Sequence, residues 1–299
     1  MKPGDCEVVR LLRWRERPGA PLRPLCAASG LVRVRGGFWA VADDLNHLIF
    51  LPDSGGPGRG LRVFPGEPPA DARRRKRVKK DLESLIDLGD GRLVAFPSGS
   101  KHRRCRGVAA ELDARGRIRR STEVDFRPLM TMLGELVPDL NIEGGFVRRK
   151  RLVLLQRGNG PSAFNAVVKV RLKGFLRGLE GRWKRSALDL KVRRVPLGLF
   201  DRVPLAFTDG LLHDGEAYFA AAAEAGGDTV EDGEVAGSVI GWLPKKGEPV
   251  VLARVPGEKI EGIAVKRDRG GELEVWAVTD DDDPSRPSRL YRLAVAKAP

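Results

Sequence analysis

Cysteine, histidine and methionine are scarce in this 299-residue chain, at three each, and there are only two tyrosines. Cys6, Cys26 and Cys105 are odd in number and form no CxxC pair. That excludes a disulfide framework or a cysteine-bound zinc, and it predicts a reducing, cytoplasmic setting. No run approaches the roughly 18 apolar residues of a membrane span, so no membrane partner is expected. The stretch from Met1 to Ala20 also lacks the unbroken apolar block of a signal peptide. Nucleotide-cradling P-loops, HExxH helices and GxSxG elbows are all missing.

What is present is a core. Apolar residues make up 41% of the chain and charged residues 31%, enough to fold without a staple. Lys and Arg number 54 against 40 Asp and Glu, a net charge of +14. Arginines are scattered along the whole length, which reads as a solvated surface. Only the run from Arg73 to Lys80 concentrates positive charge, and no aromatic residues interleave with it. Nucleic acid is therefore not expected as a partner.

One pattern recurs five times: a small or acidic residue, an apolar strand, a tight turn and a second, strongly apolar strand. Its anchors are Ser29, Glu83, Glu143, Asp209 and Glu261. The turns include Gly36-Gly37, Asp90-Gly91, Asp214-Gly215 and Gly270-Gly271, strong hairpin signals because tight turns need positive φ. Third strands follow in every copy, and fourth strands in four of them, including 183–195 in the third. Four-stranded units at a 50–60-residue period predict a β-propeller. The expectation is an all-β, five-bladed propeller forming one domain over 1–299, with six blades or stacked sandwiches as alternatives. The blades fall near 25–68, 80–127, 140–196, 205–256 and 259–296. The last copy lacks a fourth strand, and the spare segment 6–13 is expected to supply it and close the ring.

Propeller geometry gathers the anchors around one channel mouth. Glu83, Glu143, Asp209 and Glu261 would converge there, joined by Asp280 and Asp281 from the acidic run ending in Pro284. Such crowding demands raised pKa values, basic partners or a cation. Oxygen ligands suit calcium or magnesium, although an acid before glycine also simply shapes a strand start. Asp43, Asp44, Lys101, Gln156, Arg157 and Asn159 border the mouth as candidate contacts for a small anionic molecule. His47 and His102, after second strands, are candidate general bases. The basic run enters on the same face, and 128–136 predicts a short helix.

At Lys259-Ile260-Glu261-Gly262-Ile263-Ala264-Val265, followed by Val278-Thr279-Asp280-Asp281-Asp282-Asp283-Pro284, the sequence resembles the phytase-like (esterase-like) bacterial β-propeller families. The likeness extends to Asp81-Leu82-Glu83 and Asn141-Ile142-Glu143-Gly144, while Ser29 stands where the pattern has an acid. Within these families it is most similar to a branch described as a domain of unknown function. The resemblance implies a calcium-dependent hydrolase of phosphate or other esters, or a non-catalytic ligand- or protein-binding propeller.

Overall fold

The computed structural model describes residues 6–69, 71–225, 234–281, 283 and 285–298. Its strands form five sheets arranged as a five-bladed β-propeller. Blade one runs outward through Ala28–Val34, Gly37–Ala42, His47–Pro52 and Gly58–Arg62, and blade two through Leu82–Gly89, Arg92–Pro97, Arg106–Leu112 and Ile118–Asp125. Blade three comprises Ile142–Arg148, Arg151–Gln156, Ala166–Arg171 and Lys191–Arg194, and blade four Val203–His213, Glu216–Ala225, Glu234–Leu243 and Val250–Pro256. Blade five comprises Ile260–Asp268, Glu272–Thr279 and Arg289–Ala296. Its fourth strand is Cys6–Leu11, antiparallel to Arg289–Ala296 with Val8 opposite Tyr291. The ring is thus closed by the N-terminal strand.

Each inner strand packs on those of the two neighbouring blades. The approach is close enough to require glycine: a Cβ at Gly144 would lie 2.7 Å from the Asp209 Cα. Polar groups stitch every junction at the mouth end. Asp81 N donates to Asp43 O (3.2 Å) and Ile142 N to Ser98 O (2.8 Å). The Asn165 amide bridges to Leu205 O and Phe207 N. Ser238 Oγ accepts from Ile260 N (2.9 Å) and Ser288 Oγ from Ala28 N (3.1 Å). These bonds satisfy buried backbone groups that no strand ladder reaches, and they fix the loops that carry the mouth.

Three segments depart from expectation and one meets it. The fourth strand of blade three is confined to Lys191–Arg194, because the preceding chain folds into helices Leu172–Leu179 and Arg185–Leu188. Leu172, Phe175, Leu176 and Leu179 repeat at helical spacing and pack on the blade-two/blade-three core. The basic run is a helix, Ala72–Val78, capped by Asp71, whose side chain accepts from Arg74 N. The expected helix at 128–136 is present as Arg127–Gly134. Leu129, Met130 and Leu133 bury against Phe96 and Phe126, so it caps the core. Blade one carries two added strands, Arg13–Arg15 and Arg23–Pro24.

No helix among the described residues is long and apolar enough to cross a membrane. No disulfide joins the three cysteines.

Candidate functional site

A one-residue bulge opens every inner strand at the mouth. Pairing with the second strand skips Gly30, Glu83, Glu143, Thr208 and Glu261. A bulge leaves one residue out of the ladder and re-aims its side chain. In blades two, three and five that residue is a glutamate. Carboxylate oxygens of Glu83, Glu143 and Glu261 lie within 4.8 Å of one another.

Blade four differs by one register step. Its bulged residue is Thr208, which donates from Oγ1 to Ile260 O (2.6 Å). Asp209 is the next residue, paired with Ala220, and a one-residue shift sends a side chain elsewhere. Its carboxylate accepts from Gly210 N (2.7 Å) and Ile263 N (2.8 Å). Asp209 therefore ties inner strands together instead of joining the glutamates, and burial pushes its pKa well up. In blade one, Ser29 donates to Glu83 Oε2 (3.2 Å).

Basic side chains are threaded through the acids. Arg157, 5% exposed, reaches Glu143 and Glu261 at 3.5 Å each and also pairs with Glu224. Lys259 lies 2.9 Å from Glu224 and 3.3 Å from Glu261. On the other side of Glu83, oxygens of Asp43 and Asp81 form a second group with it, again within 4.8 Å. Lys79 pairs with both aspartates, and Arg104 lies 3.0 Å from Asp81. Lys79 comes from the basic run that the sequence placed near the mouth without a partner.

These contacts divide the acids. Burial raises the pKa of Asp81 and Glu224, but Lys79 and Arg104 outweigh it for the first, and Arg157 and Lys259 for the second, so both are held below the usual range. Burial pushes Glu143 to about 8 despite Arg157. Glu83 is driven well up by burial and then by Glu143, Asp81 and Asp43. It is the acid with no cation in direct contact among the described residues.

The Glu143 shift has a measurable sign. An acid whose folded pKa exceeds its unfolded value of about 4.3 binds more protons when folded, so stability falls as pH rises between the two values. Unfolding midpoints in urea, followed from pH 5 to 8, are expected to decline less in Glu143→Gln than in the parent chain. Identical slopes would overturn this assignment.

The remaining sequence candidates are dispersed. Gln156 is committed to its own blade: Oε1 accepts from Asn141 N, and Nε2 donates to Asp139 O and Arg157 O. Asn159 accepts from Asn141 Nδ2 (3.2 Å), and the same amide donates to Glu143 Oε1 (2.7 Å). Asp44 pairs with Arg75 at 3.2 Å, and burial and Asp43 raise it to about 6. Asp280 is buried at the blade-five/blade-one junction, where it bridges to Ala27. Asp281 turns to Arg289 (2.5 Å), Asp283 caps a turn through Ser285 N, and Asp282 lies outside the described residues. His47 is buried against Trp14, with Nε2 3.5 Å from Glu16, and burial lowers its pKa. His102 is exposed on a turn, and Lys101 beside it is half-buried at the rim. On the opposite face, His213, Asp214 and Asp268 cluster, but Lys297 already sits between the two aspartates.

Sequence reasoning missed Arg104 and the pairing roles of Asp81, Lys79 and Lys259. One signal was available: Asp81, Asn141 and Lys259 all stand two residues before a mouth glutamate.

Comparison with a known structure supports the fold. Glutaminyl cyclase from Myxococcus xanthus is similar at 12% identity and TM-score 0.50, over 98% of this chain and 97% of that one. The GH43 protein BlXynB from Bacillus licheniformis is similar at 11% identity and TM-score 0.49, over 98% of this chain and 57% of that one. An exo-1,5-alpha-L-arabinanase from a bovine ruminal metagenomic library gives 9% and 0.45, over 92% and 98%. No curated protein matches the chain. A family model covers residues 24–295, which takes in the inner strand of every blade, and the chain therefore belongs to the family of unknown function DUF6929.

Proposed function

We propose that the mouth takes one divalent cation, calcium or magnesium, on Glu83, Glu143 and Glu261, and that it serves to bind and hydrolyse a small anionic phosphate or other ester in the cytoplasm. The observation that carries this reading is a charge count. Among the described residues, Asp43, Asp81, Glu83, Glu143, Glu224 and Glu261 are grouped with the bases Lys79, Arg104, Arg157 and Lys259. Six acids against four bases leave a deficit of two charges, which is the charge of one divalent ion.

The donor set fits such an ion. Oxygens on opposite sides of a calcium ion stand roughly 5 Å apart, comparable to the 4.8 Å limit that encloses the three glutamates. Glu143 Oε2 is buried without a hydrogen-bond partner among the described residues, a costly arrangement that a cation relieves. When bound, the ion would polarise a substrate oxygen. Arg157 and Lys259 favour the ionised forms of the acids they touch, and Asn141 orients Glu143 by donating to Oε1. Glu83, partly exposed, is the ligand a substrate meets. The repeat resemblance to phytase-like propellers points to the same ion.

A second reading rests on the raised Glu83 and Glu143. Two protons fill the same deficit, giving a metal-free mouth that binds a polar ligand through neutral carboxyl groups.

Titration calorimetry of the EDTA-treated chain with calcium and with magnesium separates the two. One saturable site is expected, with a rise in thermal midpoint, and both are lost in Glu83→Gln. That neutral, near-isosteric variant is expected to be at least as stable as the parent without metal. Absence of binding for both ions, or binding unchanged in Glu83→Gln, rejects the cation site. A panel of phosphate esters, carboxylate esters and lactones then tests hydrolysis.

A further inference from the structure

The helix Ala72–Val78 and the turn carrying Lys101 and Arg103 form a second charged surface, outside the acid cluster. Two side chains of the basic segment are anchored inward. Arg75 pairs with Asp44 and Lys79 with Asp43 and Asp81. Asp71 caps the first turn, and Lys80 lies over the Phe64 ring at 5.4 Å. These contacts fix the helix against the mouth and spend the nearby acids.

What the helix turns outward is cationic. Arg73, Arg74 and Arg77 are exposed, as is Arg103 on the adjoining turn. No guanidinium group of these four lies within 4 Å of a carboxylate among the described residues. Several arginines elsewhere on the surface do, as in Arg33–Asp53 (2.8 Å), Arg117–Asp113 (2.9 Å) and Arg151–Asp189 (2.5 Å). The rim charges are also crowded: burial, then Arg104, Arg103 and Lys76, lower the pKa of Lys101. Arg73 and Arg77 stand one turn apart, roughly 6 Å along the axis, the reach of a short phosphate chain. Arginine forks match phosphate oxygens in paired hydrogen bonds.

We infer that this rim, built from Arg73, Arg74, Arg77, Lys101 and Arg103, is a binding site for a small polyphosphate group. The site is distinct from the glutamates and does not depend on a metal there. Its position beside the mouth would hold the phosphate end of a molecule whose other end enters the channel.

Calorimetry of the full chain in EDTA, with tripolyphosphate and with orthophosphate as probes, tests it. Tripolyphosphate is expected to bind at least 10-fold more tightly than orthophosphate. Its affinity should fall at least 10-fold in Arg73→Gln/Arg77→Gln and in Lys101→Gln/Arg103→Gln, and steeply with added salt. Glu83→Gln, which abolishes the proposed cation site, is expected to retain tripolyphosphate binding, so the two readings fail separately. Unchanged binding in both rim variants overturns the inference, as does equal affinity for the two phosphates. Tighter binding of a single-stranded oligonucleotide, growing with its length, would make the rim a nucleic-acid surface and overturn it too.

Discussion

Replacing Arg157 by methionine is expected to destabilise the fold by about 3–5 kcal/mol, the range for removing one partner of a buried ion cluster. Arg157 is nearly fully buried and touches Glu143, Glu224 and Glu261 together. Methionine keeps most of its stem volume, so the loss reports charge and not a cavity. Lys259 still faces Glu224 and Glu261, but nothing replaces the contact to Glu143. The deficit should grow with pH, because the acids left behind acquire folded pKa values above their unfolded ones. Such groups cost nothing while protonated in both states, and their penalty accumulates once the unfolded chain ionises first. Urea unfolding at pH 4.5 and pH 8 checks this: the gap between variant and parent must be wider at pH 8. A gap that narrows with pH would show that Arg157 does not neutralise the glutamates.

Gly30→Ala should cost about 3 kcal/mol, or roughly 5 °C in midpoint. Gly30 is the bulged residue of blade one, with φ +46, and a Cβ there would lie 2.5 Å from Leu85 N and 2.9 Å from Ser84 C. Both obstacles are backbone of the neighbouring inner strand, so no rotamer change relieves them. Gly271→Ala is the control. It lies on the opposite face, with nothing within 4 Å of its built Cβ and no positive φ, and no measurable loss is expected. Equal effects at the two positions would mean that the channel wall is looser than the close approach at Gly30 requires.

The architecture was legible in the sequence because hairpin turns and apolar alternation are local signals, and repetition amplified them. Even the closing strand could be read, from a surplus segment at one end and a missing strand at the other. The helices at Ala72–Val78 and Leu172–Leu179 were hidden by assumptions about repeats: an inserted segment has no counterpart in other blades to reveal it. Site geometry was half legible. Glu83, Glu143 and Glu261 could be aligned, but a bulge is invisible in sequence, so Asp209 was matched to them one residue out of step. The four bases were harder still. Lys79, Arg104, Arg157 and Lys259 come from four different loops; Arg157 was placed at the mouth and Lys259 stands two residues before Glu261, but among 54 basic residues nothing local marks Lys79 and Arg104 as turning inward.

The seam between Cys6–Leu11 and Arg289–Ala296 has a mechanical consequence. Pairing is antiparallel, with Cys6 beside Leu293 and Leu11 beside Arg289, so the start of the first strand and the end of the second lie on the same side of the seam. Tension applied to both ends would load the strand pair one hydrogen-bonded step after another and unzip it, instead of shearing all steps at once. Blade five would lose its outer strand before the other blades deform.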